Sequence, residues 1–175
     1  MVTNISVLTP PDEISPTTSD NSPNTRNHEG IIKISQHLHI GTLDDLWASS
    51  DSYNYQLIIN LTSTYVDQTS MSSAQIINHP MNSRDFENLL CTVRQCLPLI
   101  DDAYNQKKSI LICCRHGYSR ACVLAITYFM FKYHHSSQKV YQQLKSIRDL
   151  SIDDKYWALL YKLDRLIGGF NQNNN

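Results

Sequence analysis

The stretch "SILICCRHGYSRACVLAITYF", residues 109–129, constrains the fold of this chain more than any other. An apolar run from Ser109 ends in two adjacent cysteines and is bracketed by Lys107-Lys108 and Arg115-His116. Its length and composition predict a short buried strand. A small polar loop follows and closes on Arg120, where a second apolar run begins at once and predicts a helix near 119–134. A strand, a tight loop and a buried helix in that order aim backbone N–H groups at one point and add the positive end of a helix dipole. Such a turn is an anion cradle, most naturally for phosphate. A cysteine at its mouth sits in a positive field that favours thiolate over thiol. An arginine at its far end can hold two phosphate oxygens through its planar fork. Gly117 supplies a backbone conformation that a residue with a Cβ resists. Thiolate, cradle and clamp are together the parts that covalent phosphoryl transfer needs.

Elsewhere the pattern alternates between strands and helices. "IIKI" and "HLHIG" read as short strands and "LDDLWAS" as a small helix, while "YQLIINLT" and "AQIINHP" read as further strands. "FENLLCTVRQCLPLIDDAYNQ" has helical spacing through Phe86, Leu89, Leu90, Val93, Leu97 and Ile100. Pro98 is expected to kink that helix or split it in two. Two more helices are expected near 136–148 and 153–167. The alternation predicts an α/β fold, a central mixed sheet flanked by helices in a single domain, with the late helices covering one face. Residues 1–29 are rich in Ser, Thr, Pro, Asn and Asp, lack an apolar period, and are expected to be a disordered tail, as are residues 168–175. The domain is therefore expected over 30–167. Thr9-Pro10, Ser15-Pro16 and Ser22-Pro23 in the first tail are either proline-directed phosphorylation sites or chance dipeptides.

Composition excludes several function classes. The formal net charge of −1 advertises no broad surface for DNA or membranes. No apolar run is long enough to span a bilayer, and the start "MVTNISVLTPPDE" lacks a basic region followed by an apolar one. Cys91, Cys96, Cys113, Cys114 and Cys122 are odd in number and clustered, which suits reduced thiols in a cytosolic or nuclear protein better than a secreted disulfide framework. No cysteines have Cys-x-x-Cys spacing and the seven histidines form no ligand cluster, so neither a metal nor a cofactor is expected. Oligomeric state is not readable.

The segment "CRHGYSR" fits the Cys-x5-Arg signature of protein tyrosine phosphatases, and its Cys-x-x-Gly-x-Ser-Arg form resembles the cysteine-dependent dual-specificity phosphatases. "ISQHLHIGTLDDL", "QLIINLTS" and "VYQQLKSIRDLSIDDKYWALLYKLDRL" resemble that family's opening strand pair, its next strand and its closing helices, with Arg148 matching the usual arginine. The resemblance covers about residues 30–167. It implies a phosphoprotein substrate, with Cys114 as nucleophile and Arg120 binding and orienting phosphate. Ser119 would stabilise the departing thiolate, and the remaining loop residues Arg115, His116, Gly117 and Tyr118 would line the substrate. The proton for the leaving group would come from an Asp on the loop before the long helix, which is Asp85 in "HPMNSRDFENLL". The same residue also reads as a helix N-cap. Asp67, Asp101 and Asp102 are worse placed.

Two departures bear on activity. Cys113 stands where the family has a histidine that supports the loop, and Ala121 where it tends to have Ser or Thr. Losing the histidine is expected to lower the reactive fraction of nucleophile at neutral pH. The closing helices lack the family's Pro-Asn and have Ile152-Asp153, with Asp153 a plausible cap. A basic loop with His before Gly also resembles RNA 5'-triphosphatases and phosphoinositide phosphatases, although Arg115 and His116 also read as solvent-facing rim residues. "SRAC" at the loop's end departs from the triphosphatase pattern and favours a protein substrate, phosphotyrosine and phosphoserine/threonine. The alternatives are a catalytically weak or dead phosphatase that binds phosphoproteins, and an RNA 5'-triphosphatase or phosphoinositide phosphatase. A sulfenylated Cys114 could meet Cys91, Cys96 or Cys122; a vicinal bond to Cys113 is disfavoured by strain.

Overall fold

The structure, a computed structural model, describes residues 30–48, 54–71, 73–82, 85–117, 119–147, 150 and 152–172. The short apolar runs form one five-stranded sheet: β1 (Ile32–Lys33), β2 (Leu38–Gly41), β3 (Leu57–Asn60), β4 (Gln75–Asn78) and β5 (Ile110–Cys113), in the order β1-β2-β5-β3-β4. β1 is antiparallel to β2, and every other pairing is parallel. Every residue of β2, β3 and β5 is buried, as parallel strands covered on both faces must be.

Side chains alternate between two cores along these strands. Ile58, Leu111 and Cys113 face a small cluster with Leu46, Tyr55, Val66, Ala74 and Ile76, beneath α1 (Leu43–Ala48). Leu57, Ile59, Ile110 and Ile112 face the main core. That core is built by α2 (Phe86–Asn105), α3 (Arg120–Tyr133), α4 (Ser137–Ile147) and α5 (Asp154–Gln172). α3 is buried on every side from Ala121 to Met130, as expected of a helix flanked by α2, α4, α5 and the sheet. Polar staples fix its neighbours. The Tyr128 hydroxyl (3.1 Å) and Lys132 Nζ (2.6 Å) both donate to Asp101 Oδ1 on α2. The Lys132 hydrogen bond is the main reason that the Asp101 carboxyl is held below its ordinary range. Asp164 on α5 accepts from the Ser137 backbone N–H (2.8 Å) and hydroxyl at the start of α4.

Three expectations change. Pro98 does not split α2, which runs unbroken from Phe86 to Asn105. Pro98 is exposed, so water can replace the donor it removes, while Val93, Cys96 and Ile100 keep the helix on the core. α5 continues through Gly168 to Gln172, past the boundary expected at 167. Asp153 stands before α5 and its carbonyl accepts from Tyr156 (2.9 Å) and Trp157 (3.2 Å), but its carboxylate pairs with Lys155 at 2.8 Å. The tail with Thr9, Ser15 and Ser22, and also Arg148 and Tyr118, lie outside the described residues.

Candidate active site

Parallel pairing brings the ends of four strands to one edge of the sheet. Gly41 and Asn60 are both in register with Cys113, and Asn78 with Asn60. The chain leaving β5 is stitched to both neighbours: Leu61 N–H donates to the Cys113 carbonyl (2.9 Å), and Cys114 N–H to the Gly41 carbonyl (3.0 Å). Cys114 is therefore fixed at the sheet edge and is only 1% exposed. Arg115 and His116 are exposed on the loop.

Gly117 has φ +76°, the left-handed region that a Cβ disfavours. A Cβ there would stand 3.2 Å from the Gly41 carbonyl carbon and 3.3 Å from Thr42 Cγ2. The loop thus rests directly on the turn after β2. Gly117→Ala is expected to cost about 2 kcal/mol and lower Tm by about 4–8 °C, with a loss of activity. Thermal unfolding of the variant checks this, and an unchanged Tm would show that the contact is slack.

Ser119 precedes α3, and its carbonyl accepts from Val123 N–H at 3.0 Å. Its hydroxyl makes no cap bond and so is not committed to the helix. Arg120 opens α3. Its Nη1 donates to the carbonyls of Leu61 (2.8 Å) and Met81 (3.2 Å). Leu61 O also accepts from Met81 N–H at 3.2 Å, so the guanidinium ties together the chain after β3 and the chain after β4. With both Nη1 protons used, Nε and Nη2 remain as a planar two-pronged donor.

A polar network behind the site went unread in the sequence. Buried Asn60 donates to Thr64 O (2.7 Å) and Asn78 Oδ1 (2.8 Å), and its Oδ1 accepts from Thr62 N–H (3.0 Å) and hydroxyl (2.7 Å). Asn78 in turn holds both the N–H (2.9 Å) and the carbonyl (2.8 Å) of Val66. Leu61, whose carbonyl receives Arg120, lies inside the loop that these asparagines fasten. The signal was the twin "IIN" ending both β3 and β4.

Asp85 caps α2: its Oδ1 accepts from Glu87 N–H at 3.0 Å, and the residue is exposed. The three other carboxylates are engaged elsewhere: Asp67 caps a short 3-10 turn by accepting from Thr69 N–H, Asp101 pairs with Lys132, and Asp102 accepts from the Gln106 side chain at 2.7 Å. Cys113 is fully buried on the α1 side of the sheet, and its thiol is pushed up by burial first, then by Cys114 and Asp45. Burial and then Cys114 push Cys122 up to about 12, whereas Cys96 reaches about 12 through burial and Cys91. All five cysteines are free, and Cys113 and Cys122 are the two whose thiols feel Cys114. Among the described residues no group of three metal-ligating side chains occurs, and no helix is long and apolar enough to cross a membrane. A cavity of about 640 Å³ lies between α2 and α3, lined by Val93, Leu97, Pro98 and Phe131, and touches none of the loop residues.

Comparison with known proteins identifies the fold and the family. No curated protein sequence matches the chain. Its fold is similar to that of a mouse protein assigned as a dual specificity phosphatase and crystallised with zinc tungstate, at 21% identity and TM-score 0.69, covering 90% of this chain and 97% of that one. Human DUSP28 is similar at 18% identity and TM-score 0.69, with 85% and 99% coverage. The tyrosine phosphatase OH1 of Orf virus is similar at 16% and 0.63, with 77% and 86%. The sequence profile "Dual specificity phosphatase, catalytic domain" matches residues 41–165, from the glycine on which the cradle rests into α5. A match over that length makes the chain a member of the dual specificity phosphatase family, within the protein tyrosine phosphatase superfamily.

Proposed function

We propose that the chain hydrolyses phosphotyrosine and phosphoserine/phosphothreonine in proteins through a phosphocysteine intermediate, in the cytosol or nucleus. The observation that carries this reading is the placement of Arg120. Its Nη1 is held by Leu61 and Met81 carbonyls, which leaves the Nε/Nη2 edge for two oxygens of the phosphate that Cys114 would attack. Cys114 Sγ attacks phosphorus as the bond to the leaving oxygen breaks, and Asp85 gives that oxygen its proton. Water then attacks the phosphocysteine, Asp85 takes up its proton, and the Ser119 hydroxyl donates to the departing thiolate. Free phosphate leaves and the thiolate is restored. The exposed Arg115 and His116, with Gly117 and Tyr118, would meet the phosphopeptide around the phosphate. Five unpaired cysteines support a reducing compartment.

The test is release of phosphate from phosphotyrosyl and phosphothreonyl peptides, with acid quenching to capture phosphate on Cys114. No release from either peptide would overturn the enzyme reading.

A weak or silent phosphate-binding relative is the second reading, and Cys113 favours it. A protonated, buried thiol gives the nucleophile no positive charge. Cys113→His would add imidazolium beside Asp45 at low pH, and that charge disappears as pH rises through the imidazole pKa. Turnover of the variant is therefore expected to rise roughly threefold to tenfold at mildly acidic pH and much less above neutrality. Packing the larger ring costs about 1–3 kcal/mol. A pH–rate profile parallel to that of wild type would show that position 113 does not limit catalysis.

A further inference from the structure

We infer that Asn88 is a positioning residue for the general acid: it fixes the spacing between the Arg120 clamp and Asp85. The inference rests on the proposed role of Asp85. Asn88 is the third residue of α2, two places after the first, Phe86. A Glu or Gln there commonly reaches back to the backbone N–H of the cap residue. In this chain Asn88 Oδ1 instead accepts from Asn82 N–H, at 2.6 Å. Asn82 directly follows Met81, which is buried and bonded to the clamp: Met81 O accepts from Arg120 Nη1, and Met81 N–H donates to Leu61 O, the other acceptor of that same group.

One continuous set of bonds thus leads from the guanidinium through the Met81–Asn82 peptide to the Asn88 side chain and the first turn of α2, where Asp85 is the cap. Asn88 is itself anchored, since its carbonyl accepts from the hydroxyl of fully buried Thr92 at 2.8 Å. Asp85 spends Oδ1 on Glu87 N–H. The other carboxyl oxygen is the one that can carry the proton, and it must come within about 2.6–3.2 Å of the leaving oxygen. The bound phosphate is located by Arg120, so the acid is in place only if the distance from clamp to cap is held. Helix capping alone does not require a bond to Asn82, whereas such a bond ties the first turn of α2 to the chain that holds Arg120.

The experiment compares a substrate that needs the acid with one that does not. A phosphoserine peptide leaves as an alkoxide and requires the proton, whereas p-nitrophenyl phosphate leaves as a stable phenolate. Asn88→Ala is expected to lower kcat on the peptide roughly tenfold and on the aryl ester at most about twofold. Asn88→Asp retains the acceptor oxygen and is expected to restore the peptide rate. Asp85→Asn is the reference and is expected to show the same leaving-group dependence, larger in size. Equal losses on both substrates, or none, with Asn88→Ala would overturn the positioning role while Asp85 keeps its own. If Asp85→Asn itself shows no leaving-group dependence, the acid assignment falls and takes the inference with it. Absence of Cys114-dependent turnover in the unaltered protein is a third, separate result, and it overturns the functional reading.

Discussion

Cys114→Ser is expected to lower turnover by at least about 10⁴-fold while leaving phosphopeptide binding close to that of the unaltered protein. The exchange is nearly isosteric, and the backbone around it does not depend on sulfur. Cys114 N–H is bonded to Gly41 O, the Cys113 carbonyl to Leu61 N–H, and Gly117 rests on Gly41 and Thr42. The cradle should therefore keep its shape. What changes is the nucleophile, because a serine hydroxyl is a far weaker acid than a thiol and stays protonated where a thiol can ionise. Phosphate release read alongside titration of a phosphopeptide separates the two effects. Turnover within tenfold of wild type would mean that another group carries the chemistry; lost binding would mean that sulfur holds the cradle together.

Arg120→Lys should produce the opposite signature, with binding and chemistry failing together. An ammonium keeps the charge but offers no planar fork, and it cannot hold two carbonyls with one group while presenting two parallel donors to phosphate. The expected fall in kcat/KM is about 10³-fold, in line with losing preorganised donors to the transferring group. Met81 O loses its Arg120 partner, whereas Leu61 O still accepts from Met81 N–H. A further stability loss of about 1–3 kcal/mol is therefore expected. Kinetics on a phosphopeptide together with a melting curve check both. A near-normal KM would show that point charge alone suffices and that the anchored fork is incidental.

Much of this was legible in the residues. "SILICC" and "QLIINL" read as strands because central parallel strands are apolar on both faces, and the runs are too short for a buried helix. The cradle was legible because its parts are adjacent in sequence. Of the two outcomes expected of Pro98, a kink or a split, the split does not occur, because its cost depends on which side of the helix it occupies and the exposed side is the cheap one. The glycine pair at 168 did not stop α5, since a helix interior tolerates Gly at about 1 kcal/mol each. Asn60 and Asn78 are 18 residues apart in the chain, and their bond appears only once β3 and β4 are in register. The partners of Arg120 had no signature at all, because they are carbonyl oxygens that every residue carries.

That last feature bears on how such a site survives divergence. The clamp is oriented by main-chain atoms of residues 61 and 81, not by their side chains. Leucine and methionine can be exchanged for other apolar residues that fill the same core without disturbing the guanidinium. Mutational drift at these positions is therefore decoupled from the chemistry it supports. A lineage can rewrite much of the sheet's interior and still hand down the same phosphate grip.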